Sequence, residues 1–389
     1  MQLQGNWNYP TSITVGEGCL AQVGQACQKA GITKALLVTD PGLADLPMVA
    51  ATLDYCRQAG IECDIFSRIQ GNPTGENVED GLQVYRLGRF NGVIAFGGGS
   101  SLDAAKAIAL MAGQTLPLWA FEDIGDNWLQ ADASAIAPVI AIPTTAGTGS
   151  EVGRASVITD TQHHVKKIIF HPKMLPVKVL LDPAVTVGLP PHITAATGMD
   201  ALSHNLEAFC ATSYHPMAEG IALEGIRLIK HYLPEAVENG GNIEARTQML
   251  VASSMGATAF QRGLGGMHAI AHTLGALYDK HHGLLNAILM PYVLQANRVA
   301  IEDKITNLAR YLDLPEPGFD AFMTWILDFR QAMNIPHTLA DIDITLEDAQ
   351  RVGEMAVADP SAGGNPIAFS ADVYSRIFTD AVIGRLSES

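Results

Sequence analysis

Over residues 11–190, short β-branched apolar runs alternate with longer amphipathic stretches. Strands are expected at 12–15, 34–39, 63–66, 92–96 and 138–142. Helices are expected at 19–30, 48–59 and 77–88, with another starting near Leu102. This β-α-β-α rhythm predicts a doubly wound, mostly parallel sheet with helices on both faces. From about Pro191 the alternation stops. Apolar positions then recur at helical spacing over 192–210, 217–233, 243–260, 268–278, 283–297, 302–312, 319–333, 346–358 and 371–385. The stretch 283–293 is apolar on all faces, which predicts a central helix bent at Pro291. The change of pattern at 186–192 sets the expected boundary, with an α/β domain over 1–188 and an all-α domain over 189–389.

Composition narrows this picture. Of 389 residues, 48% are hydrophobic and only 16% charged, which fits folded domains with large cores and excludes a disordered chain. The net charge of -16 disfavours contact with a phosphate backbone, so no nucleic-acid partner is expected. The five cysteines are odd in number and form no C-x-x-C pair, which points to reduced thiols and the cytoplasm. The first residues lack a basic segment followed by an apolar core, so no signal peptide is expected. No uninterrupted apolar run is long enough for a bilayer, so no membrane is expected either.

Several motifs carry chemistry. The apolar run 93–96 leads into Gly97-Gly98-Gly99-Ser100 and then a helix. Glycines let backbone amides approach a diphosphate, and a helix N-terminus favours negative charge; a plain glycine turn has the same residues. Asp103 and Lys106 follow in the first turns, where an acid also suits the helix dipole. A second loop, Pro143-Thr144-Thr145-Ala146-Gly147-Thr148-Gly149-Ser150, offers hydroxyls and glycines to phosphate or ribose, or to its own backbone. Asp40 ends the second strand. An acid there binds adenosine ribose hydroxyls and repels a 2′-phosphate, favouring NAD over NADP, although Asp40-Pro41-Gly42 is equally a turn former.

In the helical half, Asp200 and His204 stand four apart, as do His268 and His272, with His281 and His282 following in a short loop. Four-residue spacing puts both side chains of a pair on one helix face. A carboxylate and several imidazoles gathered from two or three helices make a candidate divalent-metal site. His272 is open to three uses, as a further ligand, as a proton relay or in a purely structural role.

Together, Gly97–Ser100 with Asp103-Ala104-Ala105-Lys106, the threonine loop continuing to Glu151, Gly198-Met199-Asp200-Ala201-Leu202-Ser203-His204 and the stretch 263–286 resemble the iron-containing (group III) alcohol dehydrogenases. The resemblance spans nearly the whole chain, in order. It implies an NAD(P)-binding α/β domain, a helical domain, and a divalent metal in a cleft between them. By position, the family's metal ligands fall on Asp200, His204, His268 and His282, and His272 matches a histidine kept beside the nicotinamide. Its cofactor loops fall on Asp40, Gly97, Gly98, Gly99, Ser100, Asp103, Thr144, Thr145 and Thr148. Asn72 falls near the nicotinamide ribose, and Lys166 matches a lysine near the cofactor. The family commonly dimerises through its N-terminal region, so at least a homodimer is expected.

Two departures matter. Ser101 stands where many members have proline, and Arg154 lies in a variable stretch near the substrate pocket, where it either meets an anionic substrate or faces outward. The implied activity is reversible hydride transfer between NAD(H) and a small primary alcohol or aldehyde. The donor set suits Fe(II) and Zn(II) alike, and the resemblance favours iron. A dehydroquinate synthase-like lyase would share the fold and the NAD. Sites of that kind use a Glu and two histidines with a basic cluster, whereas the motifs here are poor in Lys and Arg.

Overall fold

The computed structural model describes Tyr9, residues 11–163 and residues 165–386. The N-terminal residues read above for a signal peptide lie outside these. The chain divides into two compact units, one of residues 9–189 with 241–254, the other of residues 190–240 with 255–386. Segment 241–254 thus groups with the first unit, although it belongs to the helical stretch of the sequence.

The first unit contains β1 (Ser12–Val15), α1 (Val23–Lys29), β2 (Lys34–Val38), α2 (Pro47–Gln58), β3 (Glu62–Phe66), α3 (Gly75–Gly88), β4 (Gly92–Gly97), α4 (Gly99–Met111), β5 (Val139–Pro143), β6 (Ala155–Asp160), β7 (Val165–Phe170) and β8 (Lys178–Leu181). Six strands form one sheet in the order β1-β8-β5-β4-β2-β3, and every pairing is parallel. The expected doubly wound α/β fold is therefore present. Strands β4 and β5 are buried at every position, as a sheet covered on both faces requires. The chain leaves β2 toward β3 on one side and leaves β4 toward β5 on the other. The β2/β4 pair is thus the topological switch point, where open α/β sheets bind ligands at strand C-termini. Asp40 and the glycine run sit at those two ends.

The antiparallel hairpin β6–β7 is an addition the alternating pattern concealed. Its turn is closed by Asp160, whose Oδ1 accepts from the N–H groups of Gln162 (3.0 Å) and His163 (3.2 Å). An acid closing a turn in this way does the work of the Asn-Gly pair that usually announces a hairpin.

The remaining helices are α5 (Pro191–Cys210), α6 (Pro216–Glu238), α7 (Ile243–Ala259), α8 (Gly266–Tyr278), α9 (His282–Tyr311), α10 (Phe319–Ala332), α11 (Ala349–Ala358) and α12 (Ala371–Ile383). α7 runs from the first unit into the second. α5 is buried almost all round, packed by α6 and α9. Gly198 makes room for α6, since a Cβ there would lie 2.2 Å from Leu233 Cδ1. The expected helices 283–297 and 302–312 are one continuous helix, α9, with Pro291 inside it. No Gly or Pro stands between 297 and 302, so nothing stops the helix there. By length and composition α9 alone among the described residues could cross a membrane, but 67% of its apolar window is buried, as in a core helix. All five cysteines are free thiols.

Candidate metal centre and nucleotide loops

Three helices of the second unit supply one cluster. Asp200 and His204 lie one turn apart on α5. His268 lies in the first turn of α8, and His282 is the first residue of α9. One ligand atom from each of these four residues falls within 4.8 Å of the others. His282 is therefore helical rather than in a loop. The loop residue is His281, which caps α9 by accepting from Leu284 N–H at 3.3 Å.

The imidazoles are closely packed. His204 and His268 stack with centroids 4.6 Å apart, His268 and His282 lie 5.3 Å apart, and His272 stacks on His282 at 5.2 Å. Asp200, His204 and His268 are almost fully enclosed, while His282 retains some exposure. Burial, reinforced by His204 and opposed by Asp200, holds the His268 imidazole well below the usual histidine range. A neutral imidazole keeps the lone pair that a metal needs.

Asn286 Nδ2 lies 2.9 Å from Asp200 Oδ1 and 3.2 Å from both His268 Nε2 and His282 Nε2. An amide has two hydrogens, so it cannot bond to all three of these atoms at once. A carboxylate oxygen with three imidazole nitrogens in a buried cluster is a donor set that fits a divalent transition metal.

Spacing alone missed three residues around this cluster. Glu207 is buried on α5, its carboxylate 2.7 Å from His268 Nδ1. Burial pushes its carboxyl up to about 7, against the pull of the Met267 and Gly265 N–H groups. Asn286 sits one turn after His282. Asp359 lies 3.1 Å from His272 Nδ1 and also accepts from Ser361 N–H at 2.8 Å. Burial raises the Asp359 carboxyl, but His272 and the Ser361 hydrogen bonds together outweigh it, so its pKa is lowered. The i+3 and i+4 positions of Glu207 and Asn286 were legible as the same helix faces. Asp359 is too distant in sequence to leave such a signal.

The expected cofactor residues all lie in the first unit. β4 ends at Gly97, whose φ of 142° suits glycine. α4 then begins at Gly99 rather than near Leu102, so Ser100 stands in its first turn. The loop after β5 folds back onto the glycines. Thr144 N–H donates to Gly97 O at 2.9 Å, and Thr145 lies against Gly98. A Cβ on Gly99 would fall 2.4 Å from Thr148 Oγ1. At the neighbouring strand end, Asp40 Oδ1 accepts from Gly42 N–H at 2.9 Å, and Oδ2 accepts from Ser101 Oγ at 3.4 Å. Asn72 adopts a left-handed φ of 52°, and its Oδ1 accepts from Lys166 Nζ at 2.7 Å.

Asp103 is differently engaged. Its oxygens accept from Ser150 Oγ at 2.5 Å and Val157 N–H at 2.9 Å, tying α4 to the threonine loop and the hairpin. Buried Lys106 donates to the carbonyls of Ser150 and Ala155. Arg154 is half-buried, its guanidinium 5.5 Å from the Phe170 ring centroid.

Residues 10–183 match the iron-containing alcohol dehydrogenase family, and residues 194–382 match the Fe-containing alcohol dehydrogenase family, C-terminal. The 1,3-propanediol dehydrogenase of Klebsiella pneumoniae is 37% identical over 379 residues, covering 94% of this chain and 96% of that protein. The NAD-dependent methanol dehydrogenase of Bacillus methanolicus is 33% identical, covering 97% and 100%. A crystal structure of 1,3-propanediol oxidoreductase superposes with a TM-score of 0.92 at 36% identity, covering 97% and 99%. With both halves matched and the parallel sheet, helical half and Asp-His cluster in place, the chain belongs to the iron-containing alcohol dehydrogenase family.

Proposed function

We propose that this enzyme interconverts a small primary alcohol and its aldehyde, using NAD(H) and a divalent cation held by Asp200, His204, His268 and His282. The convergence of those four donors within 4.8 Å carries the reading. The family favours Fe(II). Zn(II) suits the same donors.

When bound, the cation supplies Lewis acidity at the substrate oxygen, and the nicotinamide supplies or accepts the hydride. The chain's own residues do the rest. Amides around Gly97, Gly98, Gly99 and Ser100, at the start of α4, receive the diphosphate, with Thr144, Thr145 and Thr148 lining the facing loop. Asp40 takes the adenosine ribose hydroxyls and excludes a 2′-phosphate by charge. Asn72 and Lys166, joined by their hydrogen bond, serve the nicotinamide ribose. Asp103 supports this nucleotide site by fixing the loop over α4. Partly exposed His272, held at Nδ1 by Asp359, hands the substrate proton on from its other nitrogen. The same reading places the enzyme in the cytoplasm as a homodimer or higher homo-oligomer.

Purified protein reloaded anaerobically with Fe(II) or Zn(II) is expected to consume NADH with short aldehydes and to reduce NAD with the matching alcohols. No turnover across a broad carbonyl panel would refute the proposal. Net NADH consumption also separates this reaction from an NAD-using lyase on the same fold. Asp40→Asn keeps the size of the side chain and removes its charge. In that variant the NADPH-to-NADH ratio of kcat/KM should rise about tenfold, equivalent to ~1.4 kcal/mol; an unchanged ratio takes Asp40 out of cofactor selection.

A further inference from the structure

Glu207 is buried beside the cluster, yet nothing in the proposed chemistry uses it. Its two oxygens receive three N–H groups. Oε1 accepts from Met267 N–H at 2.7 Å. Oε2 accepts from Gly265 N–H at 2.7 Å and lies 2.7 Å from His268 Nδ1. The backbone donors flank the start of α8, where N–H groups lack partners within the helix. The third contact is to the ring.

Both oxygens of Glu207 already accept backbone N–H groups, and the short contact to the ring completes the set with His268 donating from Nδ1 to Oε2. Nε2 then carries the lone pair, and Nε2 is the atom 3.2 Å from Asn286 Nδ2, beside Asp200 and His282. In the other tautomer Glu207 would have to supply the proton of the 2.7 Å contact and a ring N–H would point into the cluster, which is incompatible with a cation held there.

We propose that Glu207 is the positioning residue of the cation site, fixing both the tautomer and the ring angle of His268. This rests on the reading that Asp200, His204, His268 and His282 hold a divalent cation. Glu207 is not itself a ligand, because both its oxygens are turned to the start of α8. That helix start has a second anchor which leaves the ring alone, since Asn365 Oδ1 accepts from Gly266 N–H at 3.0 Å. Helix anchoring and ring positioning can therefore be told apart.

The test uses the full chain stripped of metal and titrated with Co(II) against a chelator. Glu207→Gln replaces one acceptor oxygen by an N–H₂ group and so cannot serve all three donors. Folding is checked by circular dichroism and thermal midpoint. The Co(II) dissociation constant should rise about 10- to 100-fold, the usual cost of losing such a ligand support, and the visible Co(II) spectrum should change. Asn365→Ala should lower the thermal midpoint yet leave Co(II) affinity within about threefold of wild type.

Wild-type affinity and spectrum in folded Glu207→Gln would overturn the inference. So would an equal loss in Asn365→Ala, which would make helix anchoring the whole effect. If Glu207→Gln does not fold, Glu207→Asp is read in the same way. Its carboxylate is one methylene short of the ring, so a smaller loss is expected and unchanged affinity overturns the inference. Failure of the wild-type chain to bind Co(II) would instead overturn the cation reading itself, and this inference with it.

Discussion

His268→Ala is expected to lose bound cation on dialysis and to lower kcat/KM by at least about a thousandfold, or ~4 kcal/mol of transition-state stabilisation at 1.36 kcal/mol per decade. His268 is the most enclosed of the four donors, at 1% exposure, and its ring meets His204, His272 and His282. Burial keeps it neutral, so no proton competes with a cation for its lone pair. Its removal leaves Asp200, His204 and the more exposed His282 facing the gap. It also leaves Glu207 buried with one partner fewer, an added cost of about 1–3 kcal/mol to the fold. Metal analysis after dialysis and steady-state kinetics check both parts. His281→Ala is the internal control. That side chain caps α9, so its loss should cost about 1 kcal/mol of stability and spare the cation. A metal-free His268→Ala protein with full activity would end the assignment.

Asp200 and His204 were legible as a pair because helical spacing is a strong local signal, while the full set of four was implied by the resemblance to the family. Two residues four apart share a face whatever the rest of the fold does. The parallel sheet was legible for a related reason, since strands buried on both faces read as unbroken apolar runs, as at 93–96 and 139–142. What was hidden depends on pairing across long separations. The hairpin β6–β7 has no glycine turn to announce it. Its turn is held by Asp160, which looks in sequence like any surface acid.

Asp103 shows the limit in another way. Its place at the start of a helix after a glycine loop suits anion recognition or capping equally. Only the three-dimensional contacts show its oxygens taken by Ser150 and Val157, residues 47 and 54 positions away. Asp359 is similar. It reaches His272 across 87 residues, and no pattern in the chain links the two. Glu207 and Asn286 fall between these cases. Their spacing was visible, but only the converging hydrogen bonds show that their polar ends face the cluster.

Gly283→Ala should do the greatest damage to the fold for the smallest change in chemistry. Gly283 follows His282 in the first turn of α9, where α9 crosses α5. A Cβ there would lie 2.5 Å from the carbonyl oxygen of Ala196 and 2.9 Å from Asp200 Cβ. Both distances are below van der Waals contact, and the nearer atom is helix backbone, which cannot rotate away as a side chain can. The two helices must therefore separate, and they carry Asp200 and His282 on facing surfaces. Overpacking of this kind costs about 3 kcal/mol, and for a chain of this size the thermal midpoint should fall by roughly 5 °C. Cation affinity should fall with it, because the displacement separates two of the four donors. Gly220→Ala in α6 makes the contrast, since a Cβ there meets nothing within 4 Å. That substitution removes only the flexibility of glycine and should stabilise the protein by about 0.5–1 kcal/mol. Opposite shifts in the two midpoints, with cation affinity lost only in Gly283→Ala, are the expected result. Equal midpoints would mean that α5 and α9 are not in close backbone contact beside the metal centre.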